Sequence, residues 1–173
     1  ANPVAASDVF RVMLEEPVSG EIHGGVGNLR GWAVASEGIE KIEIWIDGAY
    51  AFDTPYGGAR IDVGNAFPEI VGASDSGFAL AWNYNNMSIG AHTITARAYD
   101  ENGQSVDSTS EFTVARFEKP FLQADDQVSL ADAQCFLSGS QISLQDALLD
   151  GKIYDILLDW RTATQGFEII EVR

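Results

Sequence analysis

Short runs in which apolar and polar residues alternate strictly recur along this chain, and helical periodicity is scarce. A period of two puts successive side chains on opposite faces of a pleated strand, so each run has one face to bury against another layer. The clearest run is 41–47, with Ile42, Ile44 and Ile46 on one face and Lys41, Glu43, Trp45 and Asp47 on the other. Asp47-Gly48 follows, a pair that tolerates positive φ and predicts a tight hairpin. In 92–99, Ile94, Ala96 and Ala98 oppose Thr93, Thr95, Arg97 and Tyr99; Asp100-Glu101-Asn102-Gly103 then turns the chain into 111–115, where Phe112 and Val114 point inward. Further alternating faces carry Phe78, Leu80 and Trp82, and Trp32 with Val34 after Gly31. Roughly seven such strands precede residue 117, a density of strands and turns that predicts a sandwich or barrel.

The inner face of 92–99 is lined by alanines, which leaves room for a large neighbour, and Trp32 is the expected occupant. With one cysteine, Cys135, there is no intrachain disulfide to brace the layers. Its setting, Cys135-Phe136-Leu137, predicts a buried small hydrophobe rather than a nucleophile. Residues 1–8 are small and polar and read as a leader, with the sandwich over 9–117. Glu118-Lys119-Pro120 breaks the last sandwich strand. In 118–173 a strand with Tyr154, Ile156, Leu158 and Trp160 on one face turns through 162–166 into 167–172, an antiparallel hairpin. Residues 143–149 fit either a helical turn, since Ser-x-x-Asp is a capping pattern, or a short strand. So few strands bury little alone, and the segment is expected to pack on the sandwich. The expected fold class is therefore all-β, a sandwich with a small C-terminal β-hairpin or meander extension.

The succession Gly31-Trp32, Ile46-Asp47-Gly48, Arg60-Ile61-Asp62-Val63, Phe67-Pro68, Gly77-Phe78, Gly90-Ala91-His92-Thr93 and Ala98-Tyr99-Asp100 resembles the bacterial immunoglobulin-like (Big-type) domains of exported and cell-surface proteins. The resemblance covers about residues 12–117. It implies an immunoglobulin-like β-sandwich and a secreted, periplasmic or cell-surface setting. It also implies a spacer, adhesion or stalk role beside other units. It carries over no catalytic residue.

Chemistry-bearing patterns are sparse. His92 opens a strand, where a hydrogen bond closing a turn is its expected task, and His23 is expected in a loop within a glycine-rich stretch, 20–27. Neither stands at the spacing of a nucleophile, a metal or a paired-cysteine motif, and the glycines open no helix that could cradle a phosphate. No enzyme activity, metal or cofactor is expected. Asp53, Asp62, Asp75 and the Asp125-Asp126 pair are oxygen donors of the kind calcium takes, but no Asp-x-Asp-x-Asp-Gly loop joins them. Ten Lys+Arg against 26 Asp+Glu give a net charge of −16. Such a surface repels phosphate backbones and anionic headgroups, so neither nucleic acid nor membrane insertion is expected. The expected partners are neighbouring domains or other proteins, with glycans as the alternative.

The candidate contact residues are aromatic. Trp45 lies on the polar face of its strand, where Lys or Thr would serve the fold as well, and Tyr50 and Tyr56 follow closely. Flat aromatics beside Asp and Asn stack on sugar rings and also populate protein interfaces. The competing expectation, which the sequence favours, is that the C-terminal segment covers Trp45 to bury its own apolar face.

Overall fold

The structure, a computed structural model, describes residues 8–124 and 127–173. The expected leader, apart from Asp8, and the Asp125-Asp126 pair lie outside the described residues. Among the described residues nine strands precede residue 117: β1 (Phe10–Glu16), β2 (Ile22–His23), β3 (Val26–Ala35), β4 (Ile39–Ile46), β5 (Ala49–Asp53), β6 (Tyr56–Gly58), β7 (Gly77–Asn83), β8 (Gly90–Asp100) and β9 (Ser105–Val114). They form a four-stranded sheet of order β1-β3-β7-β6 and a five-stranded sheet of order β2-β9-β8-β4-β5. The first order corresponds to A-B-E-D of an immunoglobulin sandwich, and β9-β8-β4-β5 to G-F-C-C′. β2 pairs in parallel with the end of β9, Ile22 opposite Thr113. The fold is an immunoglobulin-like β-sandwich.

By contact density the chain forms two compact units, one comprising residues 8–19, Asn28–Ala81 and His92–Glu111, the other Gly20–Gly27, Trp82–Ala91 and Phe112–Arg173. In the first unit the predicted inner faces are the observed ones: Ile42, Ile44, Ile94, Ala96 and Ala98 are fully buried, as are Leu29 and Ala33 from β3. Asp47 and Gly48 both adopt positive φ (50° and 79°), as the two-residue hairpin between β4 and β5 requires.

Trp32 departs from expectation. The large side chain on the inner face of its sheet is Phe78, 2 % exposed, whereas Trp32 packs with Val34 against Val63, Ala73 and Phe67. Those partners belong to the 61–75 segment, which carries a short helix, α1 (Ile61–Ala66), and a 3₁₀ turn at Ala73–Asp75. The reason is parity. A Cβ on Gly31 would lie 2.0 Å from the Met13 carbonyl oxygen and 2.5 Å from Phe78 Cζ, so glycine takes an inward position and Trp32 must face outward.

In the second unit the sheet contains β10 (Val128–Ser129), β11 (Gln134–Ser138), β12 (Gln141–Leu149), β13 (Lys152–Arg161) and β14 (Gly166–Val172). Its order is β10-β12-β13-β14, with β11 also paired to β12. Ala147, Leu149 and Ile156 are buried, with Phe117, Leu122, Tyr154 and Ile169 packed around them. The ambiguous 143–149 stretch is strand. A bulge between Leu144 and Ala147, with Asp146 at φ 59°, shifts the alternation by one residue and hides the period of two. Cys135 is exposed, contrary to the expectation of a buried thiol. It lies on β11, which among the described residues pairs with β12 alone, and all five β11 residues are exposed, so apolar neighbours in sequence do not amount to burial.

Candidate functional site

The outward positions of β4, β5, β8 and β9 in the first unit carry an ordered array of aromatic and charged side chains. Antiparallel register sets Lys41 opposite Tyr99, Glu43 opposite Arg97 and Trp45 opposite Thr95 on β8. On its other side β4 sets Glu43 opposite Asp53 and Trp45 opposite Tyr50. Because strands repeat every two residues, these odd-numbered positions of β4 and β8 share the face away from the core.

Glu43 is the centre of the array. Although it faces outward, it is only 8 % exposed. Its carboxylate accepts hydrogen bonds from Lys41 Nζ (2.7 Å), Trp45 Nε1 (3.0 Å) and Tyr99 Oη (3.2 Å). The Lys41 ammonium also lies 4.8 Å from the Tyr99 ring centroid. The Arg97 guanidinium covers the Trp45 ring at 4.7 Å and makes a two-pronged pair with Asp107 (2.7 and 2.8 Å). Tyr50 meets Trp45 edge to face at 6.1 Å, and its hydroxyl donates to Asp53 at 3.2 Å. Trp45 is thus half-buried beneath Arg97 and Tyr50 of its own unit, while Tyr50 remains 53 % exposed. Tyr56 is not part of the array. It pairs opposite Phe78 in the other sheet, where its hydroxyl donates to the Ala33 carbonyl at 2.9 Å.

The charges lock this geometry. The hydrogen bond from Lys41 outweighs burial and holds the Glu43 carboxyl below its ordinary range, with Trp45 and Tyr99 adding to the effect. Arg97 does the same for Asp107 through their hydrogen bonds. A carboxyl whose folded pKa is depressed stabilises the fold above its unfolded value, near 4.5 for Glu43, and that stabilisation is lost as pH falls through the folded value. Glu43→Gln is therefore expected to remove about 1 kcal/mol at neutral pH, about 2–4 °C in a chain of this size. It should also flatten the fall of Tm below pH 4.5, which thermal melts across pH will show.

Elsewhere the titratable groups serve structure. His92 Nδ1 lies 2.7 Å from Asp47 Oδ2, and Asp47 Oδ1 accepts the Thr93 amide at 2.9 Å, so His92 closes a turn as its position predicts. His23 is not a loop residue but a buried one. In the second unit it stacks on Tyr84 at 4.6 Å, and its Nε2 lies 3.2 Å from Glu21 and its Nδ1 3.3 Å from Arg161. Arg161 also pairs with Glu168 at 2.9 Å. In the first unit a groove of about 500 Å³ is lined by Glu15, Arg30, Arg60 and Asp62. Arg60 bonds both Glu15 (3.0 and 2.8 Å) and Asp62 (2.9 and 2.7 Å), holding Asp62 down to about 2 and committing both carboxylates to one guanidinium. Among the described residues, no group of three or more His, Cys, Asp or Glu is placed to hold a metal ion. Asp53 and Asp62, considered as calcium donors, are engaged with Tyr50 and Arg60. Among the described residues no helix is long and apolar enough to cross a membrane.

No protein-family model matches the chain, and no curated protein matches it. Among solved structures it is similar to an endo-β-1,4-mannanase from Thermotoga petrophila, with a TM-score of 0.48 and 11 % identity over 65 % of this chain and 21 % of the mannanase. The fibronectin(III)-like modules of Clostridium thermocellum CbhA match with a TM-score of 0.39 and 19 % identity, over 60 % of this chain and 95 % of that one. CopC from Methylosinus trichosporium OB3b matches with a TM-score of 0.34 and 16 % identity, over 60 % and 93 %. The chain spans about a fifth of the mannanase it matches. Strand order and register, rather than these likenesses, mark the fold as a sandwich.

Proposed function

We propose that this chain is a non-catalytic, Big-type immunoglobulin-like module of an exported bacterial protein, acting as a spacer or adhesion unit in a secreted, periplasmic or cell-surface assembly. One observation carries the reading: the outward face of β4, β5 and β8 is an array of Trp45, Tyr50, Arg97 and Tyr99 held around Glu43. Aromatic residues and arginine are the types that dominate binding energy at protein interfaces, and side chains already fixed in place lose little entropy on contact. The net charge of −16 favours partners with exposed cations. In this reading the C-terminal sheet is an extension of the same module. The sharing of Gly20–Gly27 and Trp82–Ala91 with Phe112–Arg173 in one compact unit supports it.

A glycan-binding reading has its own support in the exposure of Tyr50 beside Trp45 and Asp53. Tryptophan emission titrated with soluble polysaccharides separates the two. A protein-contacting face predicts unchanged emission. A saturable change that Trp45→Ala abolishes would establish the glycan reading instead. For a protein partner seated on this face, Trp45→Ala is expected to weaken binding about 30-fold, the loss of roughly 2 kcal/mol typical of a central tryptophan. Full affinity in that variant would remove the face from the interface.

A further inference from the structure

One edge of the C-terminal sheet lacks the usual protection against pairing. The thirteen residues 133–145, which include β11 and most of β12, contain no charged side chain, although 21 % of the chain is charged. Among the described residues β11 pairs on one side only, so part of its backbone N–H and C=O groups point away from β12. All five of its residues are exposed, with Phe136 at 49 % and Leu137 at 76 %. Edge strands are ordinarily blunted by charge, proline or shortness. β14, at the opposite edge of this sheet, carries Glu168 and Glu171, whereas β11 carries nothing of the kind.

We propose that β11 is a self-association edge, at which two copies of this chain pair antiparallel about a two-fold axis through Phe136. Self-pairing requires a strand whose pattern survives reversal. Gln134-Cys135-Phe136-Leu137-Ser138 reads polar, apolar, apolar, apolar, polar from either end. Full overlap places Phe136 opposite Phe136 of the second copy on one face of the joined sheet. On the other face each Cys135 lies opposite Leu137 of the second copy. Cross-strand aromatic and aliphatic pairs of this kind are the unit of sheet stabilisation. Charge fixes the place of such a contact: each copy carries −16, and the uncharged strip is where two such chains approach with least repulsion. The contact is isologous, so it closes at a dimer.

Sedimentation equilibrium of the full chain at low salt and at 1 M NaCl tests this, since roughly 3 Å of screening length at the higher salt removes the repulsion between copies. The expected result is a monomer–dimer equilibrium that tightens with salt, with no higher species. Leu137→Lys, at an exposed site that should leave the monomer melt unchanged, is expected to weaken it at least about ten-fold. Oxidised L137C should form a covalent dimer, because the introduced thiol falls opposite Cys135 of the second copy. Amide exchange in 134–138 should slow as concentration rises. A monomer at every concentration in 1 M NaCl, a dimer that Leu137→Lys leaves intact, or open-ended assembly would each overturn the proposal.

Discussion

Tyr84→Ala is expected to destabilise the protein by about 3–5 kcal/mol, the cost of emptying a site filled by a large buried ring. Tyr84 is fully buried in the second unit. Its ring stacks on His23 at 4.6 Å, meets Phe112 edge-on at 5.5 Å and lies over Gly27, where an added Cβ would come within 3.1 Å. The surroundings cannot close over the gap easily. His23 is tied to Glu21 and Arg161, and the Tyr84 amide is fixed to the Gly25 carbonyl at 2.8 Å. Against a typical total of roughly 5–15 kcal/mol, such a loss brings the domain near its unfolding threshold. Urea denaturation monitored by circular dichroism gives the measurement, with Tyr84→Phe, which keeps the ring, expected to retain most of the stability. A change under about 1 kcal/mol for alanine would mean that the ring fills no close-packed site.

Gly31→Ala is expected to cost about 2–3 kcal/mol for a single added methyl group. The clash is with backbone: the new carbon would sit 2.0 Å from the Met13 carbonyl oxygen, so β1 and β3 would have to separate. Gly48→Ala is the informative comparison. It has nothing within 4 Å but a φ of 79°, so its penalty is conformational, about 1 kcal/mol. The larger loss at Gly31 than at Gly48 distinguishes close approach of strands from the need for a left-handed turn. Equal losses would show that β1 yields to the added carbon.

Strand identity and inner faces were legible in the sequence wherever a run kept a clean period of two over a buried face, as at Ile42–Ile44 and Ile94–Ala96–Ala98. Asp47-Gly48 was legible because backbone chemistry alone specifies that turn. What failed depended on contacts remote in sequence. The sequence pattern puts Trp32 on the inner face, because the close approach of Gly31 to Met13 is a property of strand pairing, which no local pattern records. Cys135 reads as a core residue because the sequence does not mark which strand ends up at a sheet edge. At the candidate site, Trp45 and Tyr50 stood out as aromatic residues near a turn. Their partners Arg97 and Tyr99 were visible only as outward positions of another strand, and register is needed to bring them to Glu43. Tyr56 is close to Tyr50 in sequence, but the chain crosses to the opposite sheet through Thr54-Pro55, and proximity in sequence is lost there.

The parallel pairing of β2 with β9 bears on how a spacer would answer tension. Here the Thr113 amide donates to the Glu21 carbonyl at 3.0 Å and the Ala115 amide to the His23 carbonyl at 2.9 Å. Force that draws β2 by its N-terminal end and β9 by its C-terminal end slides the two parallel strands past each other. The bonds between them then lie across the pull and share it, rather than opening one after another as in a peeled hairpin. A short patch can in this way resist a brief tug more firmly than its equilibrium strength alone suggests, because rupture rate, not free energy, governs forced opening.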